Sequence, residues 1–368
     1  MLNKNEILKS IERHRAQPAI SLQQYYYSLQ KELVAGIIGK RRLYLDTKYW
    51  VILRDAAMGR PKSPIHTEIL DVLRDLVRTG AAICPLSDTA YIETMQQNDP
   101  TTRRATAALM DELSSGVAIA TEQTRARGEL LNFVASPELD VSHFSEKIWV
   151  KTSFVLGENF PEIKGLDMKA SLLAQKSFVD LMWHQTVVDF AEQEVDRNSL
   201  PFQSTAAKIN ENMVAFAHEI RSFKQAAEAE FGGCVKIFDR TMTKTALTEK
   251  GFASAKEEEI DKFQECIQRG LYNVMRLRPN VMLKRVPTLF IYAMCHAATR
   301  WDKARKVNSH WLLDIHHACA GLAYHDVMFT EHPLRVLLQS GNMQMDKKFS
   351  TPVLSEEKDI LHYLRSIR

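Results

Sequence analysis

Between Lys40 and Cys84 the chain reads as strand, helix, strand, and few folds accept that order. Leu43-Tyr44-Leu45 is a short apolar run that follows the basic Lys40-Arg41-Arg42 and ends in a carboxylate, Asp46. A run of this kind suits a central parallel strand, covered on both faces, better than an edge. Ser63-Pro64 then reads as an N-cap followed by proline at the first helical position. Ile69, Leu73, Leu76 and Val77 supply an apolar helix face until Gly80 stops it. A second short strand, Ala81–Cys84, follows at once. The order is that of a βαβ crossover, which predicts a parallel sheet with chemistry at the C-terminal ends of its strands.

Ser87 is placed to cap a helix carrying Ile92, Glu93 and Met95, and Asn98-Asp99-Pro100 breaks it and starts the next, which runs to Gly116. Val117–Ala120 is a further strand candidate. From Thr121 to about Arg285 the pattern changes to helical periodicity, as in Ser171–Arg197 and Thr205–Phe231. After Pro287, Phe290, Met294, Ala298 and Trp301 trace one helix face, and a second helix is expected at about Trp311–Ala323. Asp326–Thr330 reads as a buried strand, and Pro333–Gln339 and Ser355–Arg368 as helices; Met1–Gln17 is an N-terminal helix. The expected organisation is an N-terminal helical segment (1–39), a discontinuous α/β core (40–120 and 285–350), a mostly α-helical insertion (121–284) and a C-terminal helix (351–368).

With 368 residues, 45% hydrophobic and 25% charged, the chain has the composition of a folded globular protein. A net charge of +3, from 48 basic and 45 acidic residues, means that any nucleic-acid-binding surface must be local. The five cysteines are odd in number and far apart, which is neither a disulfide framework nor a zinc ribbon. No stretch approaches the roughly 20 apolar residues of a membrane span, and none has signal-peptide character. A soluble cytoplasmic protein with no membrane partner is expected.

Four carboxylates fall where an α/β fold can gather them: Asp46 at a strand end, Glu93 on the helix after the second strand, Asp314 at the start of a helix and Asp326 beside the late strand. Acids sharing a cleft repel one another unless a divalent cation offsets them. Oxygen-only ligation favours Mg²⁺ or Mn²⁺, and such a cation activates water for in-line attack on a phosphodiester.

These residues resemble a family. Leu43-Tyr44-Leu45-Asp46-Thr47, then Pro85-Leu86-Ser87 leading to Glu93, then Arg103 to Gly116, and finally Asp314-Ile315-His316-His317-Ala318 and Tyr324-His325-Asp326-Val327-Met328-Phe329-Thr330-Glu331 resemble, in order, the blocks of a PIN-like ribonuclease domain. The resemblance covers roughly residues 40–120 and 285–350. It implies a three-layer α/β/α core with a parallel sheet, and a metal-dependent endoribonuclease whose acidic pocket holds Mg²⁺ or Mn²⁺. Asp46, Glu93 and Asp314 take its first three acidic positions. The family usually ends its fourth strand in Thr and Asp, whereas this chain has Thr330-Glu331-His332, so either Asp326 or Glu331 fills the last position. Lys48 stands where a small polar residue is commoner. The resemblance thus implies catalytic Asp46, Glu93, Asp314 and Asp326, metal ligands Asp46, Asp314, Asp326 and Glu331, and accessory Thr47, His317 and Thr330. RNA is the implied partner, with DNA left open and an inhibitor or partner protein conceivable for the insertion.

Other features compete. His310, His316, His317, His325 and His332 crowd the region of Asp314 and Asp326, and His317, three residues after Asp314 on one helix face, is the one placed to reach the pocket. Arg305 and His310 match the spacing of HEPN-type ribonucleases, which cut without metal. Arg41, Arg42, Lys48, Arg54, Arg103, Arg104, Arg300, Lys303, Arg305 and Lys306, interleaved with Tyr49, Trp50 and Trp301, offer phosphate contacts and stacking platforms, or else ordinary helix surface and core. A PIN-like scaffold that no longer cuts and binds RNA or a partner protein is the alternative from another class. Oligomeric state is not written in the sequence.

Overall fold

The computed structural model describes residues 4–135, 145–193 and 202–367. Met1, Arg197 and Arg368, which the sequence reading includes in helices, lie outside the described residues. The structure is mixed α/β, mostly helical, with short parallel strands. The chain forms two compact units, one of Met1–Thr121, Glu146–Arg197 and Glu356–Arg368, the other of Glu122–Ser145 and Asn198–Ser355. All five cysteines are free, and no helix among the described residues is long and apolar enough to cross a membrane.

In the first unit, β1 (Arg41–Leu45) pairs in parallel with β2 (Ala82–Ile83), Arg41 opposite Ala82 and Arg42 opposite Ile83. Leu43, Tyr44 and Leu45 are buried, as a strand covered on both faces requires. Two helices, Thr47–Ala57 and Pro64–Arg78, make the crossover where the sequence reading found one. The first was hidden because Tyr49, Trp50 and Leu53 bury completely while Lys48 and Arg54 lend the segment a mixed, surface-like look. Ser63 occupies the N-cap position in extended conformation but makes no side-chain cap bond, so Pro64 at the first helical position is what starts this helix. It ends as expected: Gly80 takes φ +75°, and the Ala81 amide reaches back to the Leu76 carbonyl at 2.9 Å.

Ser87 caps Asp88–Met95, and Asp99 caps Pro100–Ser114. β3 (Val117–Ile119) then pairs antiparallel with β4 (Trp149–Lys151), Ala118 opposite Val150. β4 lies in the stretch expected to be mostly helical. Three residues are too few to show a period, and Ile148, Trp149 and Val150 became a strand by burying against β3. The helices Lys4–Arg15 and Leu22–Ala35 pack on Met168–Trp183, and Glu357–Ser366 packs on Pro64–Arg78.

In the second unit, β5 (Val327–Phe329) and β6 (Val353–Leu354) pair in parallel, Met328 opposite Val353 and Phe329 opposite Leu354. Phe223–Cys234 lies along Pro287–Trp301, which in turn packs on Ser309–Gly321. Asn308 caps this last helix, its side chain 2.8 Å from the Trp311 amide. The cap moves the helix start ahead of the expected Trp311. Asp314 therefore sits in the second turn and not at the start, which corrects the sequence reading.

Candidate functional site

Asp46 is the residue at which β1 ends and a helix begins. Its backbone is extended (φ −73°, ψ 172°), and its side chain accepts from the Tyr49 amide at 3.4 Å, so the carboxylate caps Thr47–Ala57 at the positive end of the helix dipole. It is 4% exposed. The next residue, Thr47, donates its hydroxyl to Glu93 Oε2. Glu93 reaches this point because Ser87 caps its helix at the Ala90 amide, 3.2 Å away, and shares a 2.9 Å hydrogen bond with the Tyr44 hydroxyl of β1. A carboxylate 46 positions further along the sequence is thus held by the threonine that follows Asp46, at the C-terminal end of β1, where α/β folds hold their chemistry.

In the second unit, Thr330 and Glu331 follow the C-terminal end of β5. Thr330 is fully buried, and its hydroxyl has no hydrogen-bond partner among the described residues. Glu331 is the exposed N-cap of His332–Gln339, with no side-chain cap bond. Asp326, half-buried, precedes β5, and Asp314, also half-buried, projects from Ser309–Gly321. His317 is 3% exposed on that same helix. Among the described residues, no group of three or more His, Cys, Asp or Glu side chains is arranged so as to hold a metal ion.

Most of the basic and aromatic residues offered for nucleic-acid contact have structural work instead. Tyr49 and Trp50 are completely buried, so neither is a stacking platform. Arg54 bonds Asp55 at 2.7 Å, and Arg103 donates to the carbonyls of Ala191 and Gln97 at 2.9 and 2.6 Å. Arg104 pairs with Glu192, and Arg300 pairs with Glu230 at 3.0 Å. Arg305 lies 4.1 Å over the Trp311 ring and 3.3 Å from Asp302, while His310 is exposed. Trp301, 39% exposed, keeps a face in water.

Two polar constellations of the second unit were not singled out by sequence reasoning. Glu122 holds His316 Nδ1 at 2.7 Å, and the His316 ring stacks on Phe202 with centroids 5.0 Å apart. A carboxylate on Nδ1 orients the imidazole, the arrangement acid–base chemistry uses. Neighbouring His296 is pushed down to about 4 by burial and then by His316, so it is neutral near pH 7. Burial pushes the Cys295 and Cys319 thiols up, which removes them as thiolate nucleophiles.

Deeper, Glu129 is fully buried and accepts from the Thr288 amide at 3.0 Å, the Thr288 hydroxyl at 2.5 Å and the Tyr324 hydroxyl at 2.6 Å. It thereby caps Pro287–Trp301 from a different helix. Neither constellation had a local signal, because Glu122 lies 194 positions from His316, and Glu129 lies 159 from Thr288 and 195 from Tyr324.

Burial pushes Glu129 up to about 7 from the ordinary 4.5, against the pull of Thr288, Tyr324 and Arg125. The folded protein therefore holds this proton more tightly than the unfolded chain. Its contribution to stability is greatest below about pH 4.5 and declines as pH rises towards 7, by roughly 3 kcal/mol. Urea unfolding at about pH 5 and about pH 8 should resolve this slope in the native chain and show it flattened in Glu129→Gln. An unchanged slope in that variant defeats the assignment.

No protein-family model matches the chain, and no curated protein or solved structure is significantly similar to it.

Proposed function

We propose that the chain is a cytoplasmic, PIN-like endoribonuclease that hydrolyses RNA phosphodiester bonds with the help of Mg²⁺ or Mn²⁺. One observation carries this reading: Asp46, buried at the end of β1, stands beside a threonine bonded to Glu93. An isolated acid at a strand end is an ordinary cap. A carboxylate at the strand end whose neighbouring threonine holds a second carboxylate supplies oxygen donors of the kind that suit hard divalent cations. The sequence resemblance also implies metal-binding roles for Asp314, Asp326 and Glu331 and accessory roles for Thr330 and His317, all residues of the second unit.

When bound, such a cation polarises a phosphate oxygen and lowers the pKa of water. The chain's own groups do the positioning. The cap bond to Tyr49 restricts the Asp46 rotamer, and the Thr47 hydroxyl fixes one oxygen of Glu93. Tyr49 and Trp50 belong to the core, whereas Trp301 keeps an exposed surface of the kind on which RNA bases stack.

The test is to strip the full chain with EDTA and assay cleavage of a labelled single-stranded RNA before and after Mn²⁺ is returned. Loss on stripping and recovery with Mn²⁺ are expected. Cleavage that survives EDTA transfers the activity to metal-free chemistry such as that of Arg305 and His310. A chain that neither cuts RNA nor gives a calorimetric Mn²⁺ signal is the inactive scaffold.

A further inference from the structure

The end of helix Lys4–Arg15 and the helix Met168–Trp183 border a cleft of about 470 Å³ whose lining includes His14, Arg15, Lys169 and Lys176. Its most unusual member is Lys176. This lysine is 1% exposed, and its ammonium donates to the Gln17 carbonyl at 3.2 Å. A carbonyl takes one of three protons and leaves the formal charge uncompensated, which is costly away from water. Burial accordingly pulls Lys176 below the ordinary lysine value.

The acids nearby are already committed. Asp167, the acid in the lining, caps Met168–Trp183 through a 2.7 Å bond from the Ala170 amide. Asp180 is covered by Ser10, Arg13, Tyr25 and His14. The cleft therefore holds an excess of positive charge: one cation fixed at depth, and two more, Arg15 and Lys169, on exposed positions. Pro18, Leu172 and Leu173 supply an apolar wall beside it. The volume is in the range of small-molecule sites, and buried cations beside apolar wall are what fix an anionic ligand's orientation.

We propose that this cleft binds a phosphorylated small molecule, its phosphate held by Lys176, Arg15 and Lys169 and its organic part laid against Pro18, Leu172 and Leu173. A phosphate dianion offers three terminal oxygens to three separate cations, which a single carboxylate does not. The cleft lies wholly within the first unit and shares no residue with the Asp46 and Glu93 constellation, so it stands independently of the nuclease reading.

The test is isothermal titration of the full chain with inorganic phosphate, adenosine 5′-monophosphate and adenosine. Binding of the monophosphate and none of adenosine is expected. Monophosphate tighter than phosphate identifies a phosphorylated organic ligand, whereas equal affinities identify free phosphate as the natural occupant. The double variant Arg15→Ala/Lys169→Ala, confined to exposed side chains, should weaken binding about tenfold and leave RNA cleavage unchanged. Lys176→Met, which keeps the apolar stem, should abolish binding with the melting temperature held or raised, because an uncompensated buried charge has been removed. Silence from both phosphate ligands at about 10 mM overturns the proposal, as does equal affinity for adenosine or unaltered binding in the double variant. The nuclease reading fails separately, through Asp46→Asn.

Discussion

Asp46→Asn is expected to lower RNA cleavage by at least about a thousandfold, roughly 4 kcal/mol of transition-state stabilisation, with the melting temperature unchanged or raised. The two halves of this expectation come from different physics. Asparagine is as good an N-cap as aspartate, so the bond from the Tyr49 amide and the start of Thr47–Ala57 survive. The negative charge does not survive, and with it goes the attraction for a divalent cation. Stability stays near its native value: the neutral amide gives up a helix-dipole attraction of about 0.3–1 kcal/mol and is relieved of the cost of a charge that is only 4% exposed. Single-turnover cleavage of a defined RNA, run beside a thermal melt, separates these effects. Full activity in a folded variant ends the assignment; lost activity together with a melting temperature lowered by many degrees makes Asp46 a structural cap and nothing more.

That separation matters because each acid has a bland role available. Asp46 caps a helix, Glu93 receives a threonine hydroxyl, and Glu331 stands at an N-cap position. Capping explains why a carboxylate is tolerated at a strand end. It does not explain why a second acid is brought to the same end by Ser87, whose hydroxyl both caps one helix and bonds Tyr44 on β1. Ser87 is 1% exposed, so this link is set in the core, where a misplaced hydroxyl would be costly.

What could be read from residues alone follows the range over which each signal acts. β1 was legible because a three-residue apolar run stops at a carboxylate, and the helix ends at Ser87, Asp99, Gly80 and Pro287 were legible because caps and stops are chemistry of adjacent residues. β4 and β6, three and two residues long, exist because a partner strand supplies their hydrogen bonds, and no window of sequence contains that partner. Asn308 was passed over as a cap, and Asp314 was placed at a helix start for that reason. For the site, proximity in sequence pointed to His317, which proves to be buried, while His316 meets Glu122 across 194 positions. Lys176 was likewise invisible, since its helical stretch gives no sign that one lysine among several is enclosed.

Asp180→Ala is expected to destabilise the first unit by about 3–5 kcal/mol, the range for leaving buried polar partners of a charge uncompensated. The carboxylate is 6% exposed and accepts from Ser10, Tyr25, Arg13 and His14, the last at 2.8 Å. Arg13 is 55% exposed and contributes little; the cost comes from His14, 2% exposed, and from the Ser10 and Tyr25 hydroxyls, which lose their acceptor. Burial pushes Asp180 up, but the bonds from Ser10, Tyr25, His14 and Arg13 outweigh it and hold the acid below its ordinary value. A carboxyl depressed in the folded state stabilises above its unfolded pKa and loses that contribution as pH falls through the folded one. The native chain should therefore lose stability in acid, below about pH 4, where the alanine variant is comparatively flat. Urea unfolding of both chains across that range is the measurement, and a penalty under about 1 kcal/mol refutes the anchoring role. Because Asp180 joins helices some 160 positions apart and His14 also lines the cationic cleft, the variant should weaken phosphate binding as well; intact binding in a destabilised chain would show that the cleft is held by Lys176 and its own helix alone.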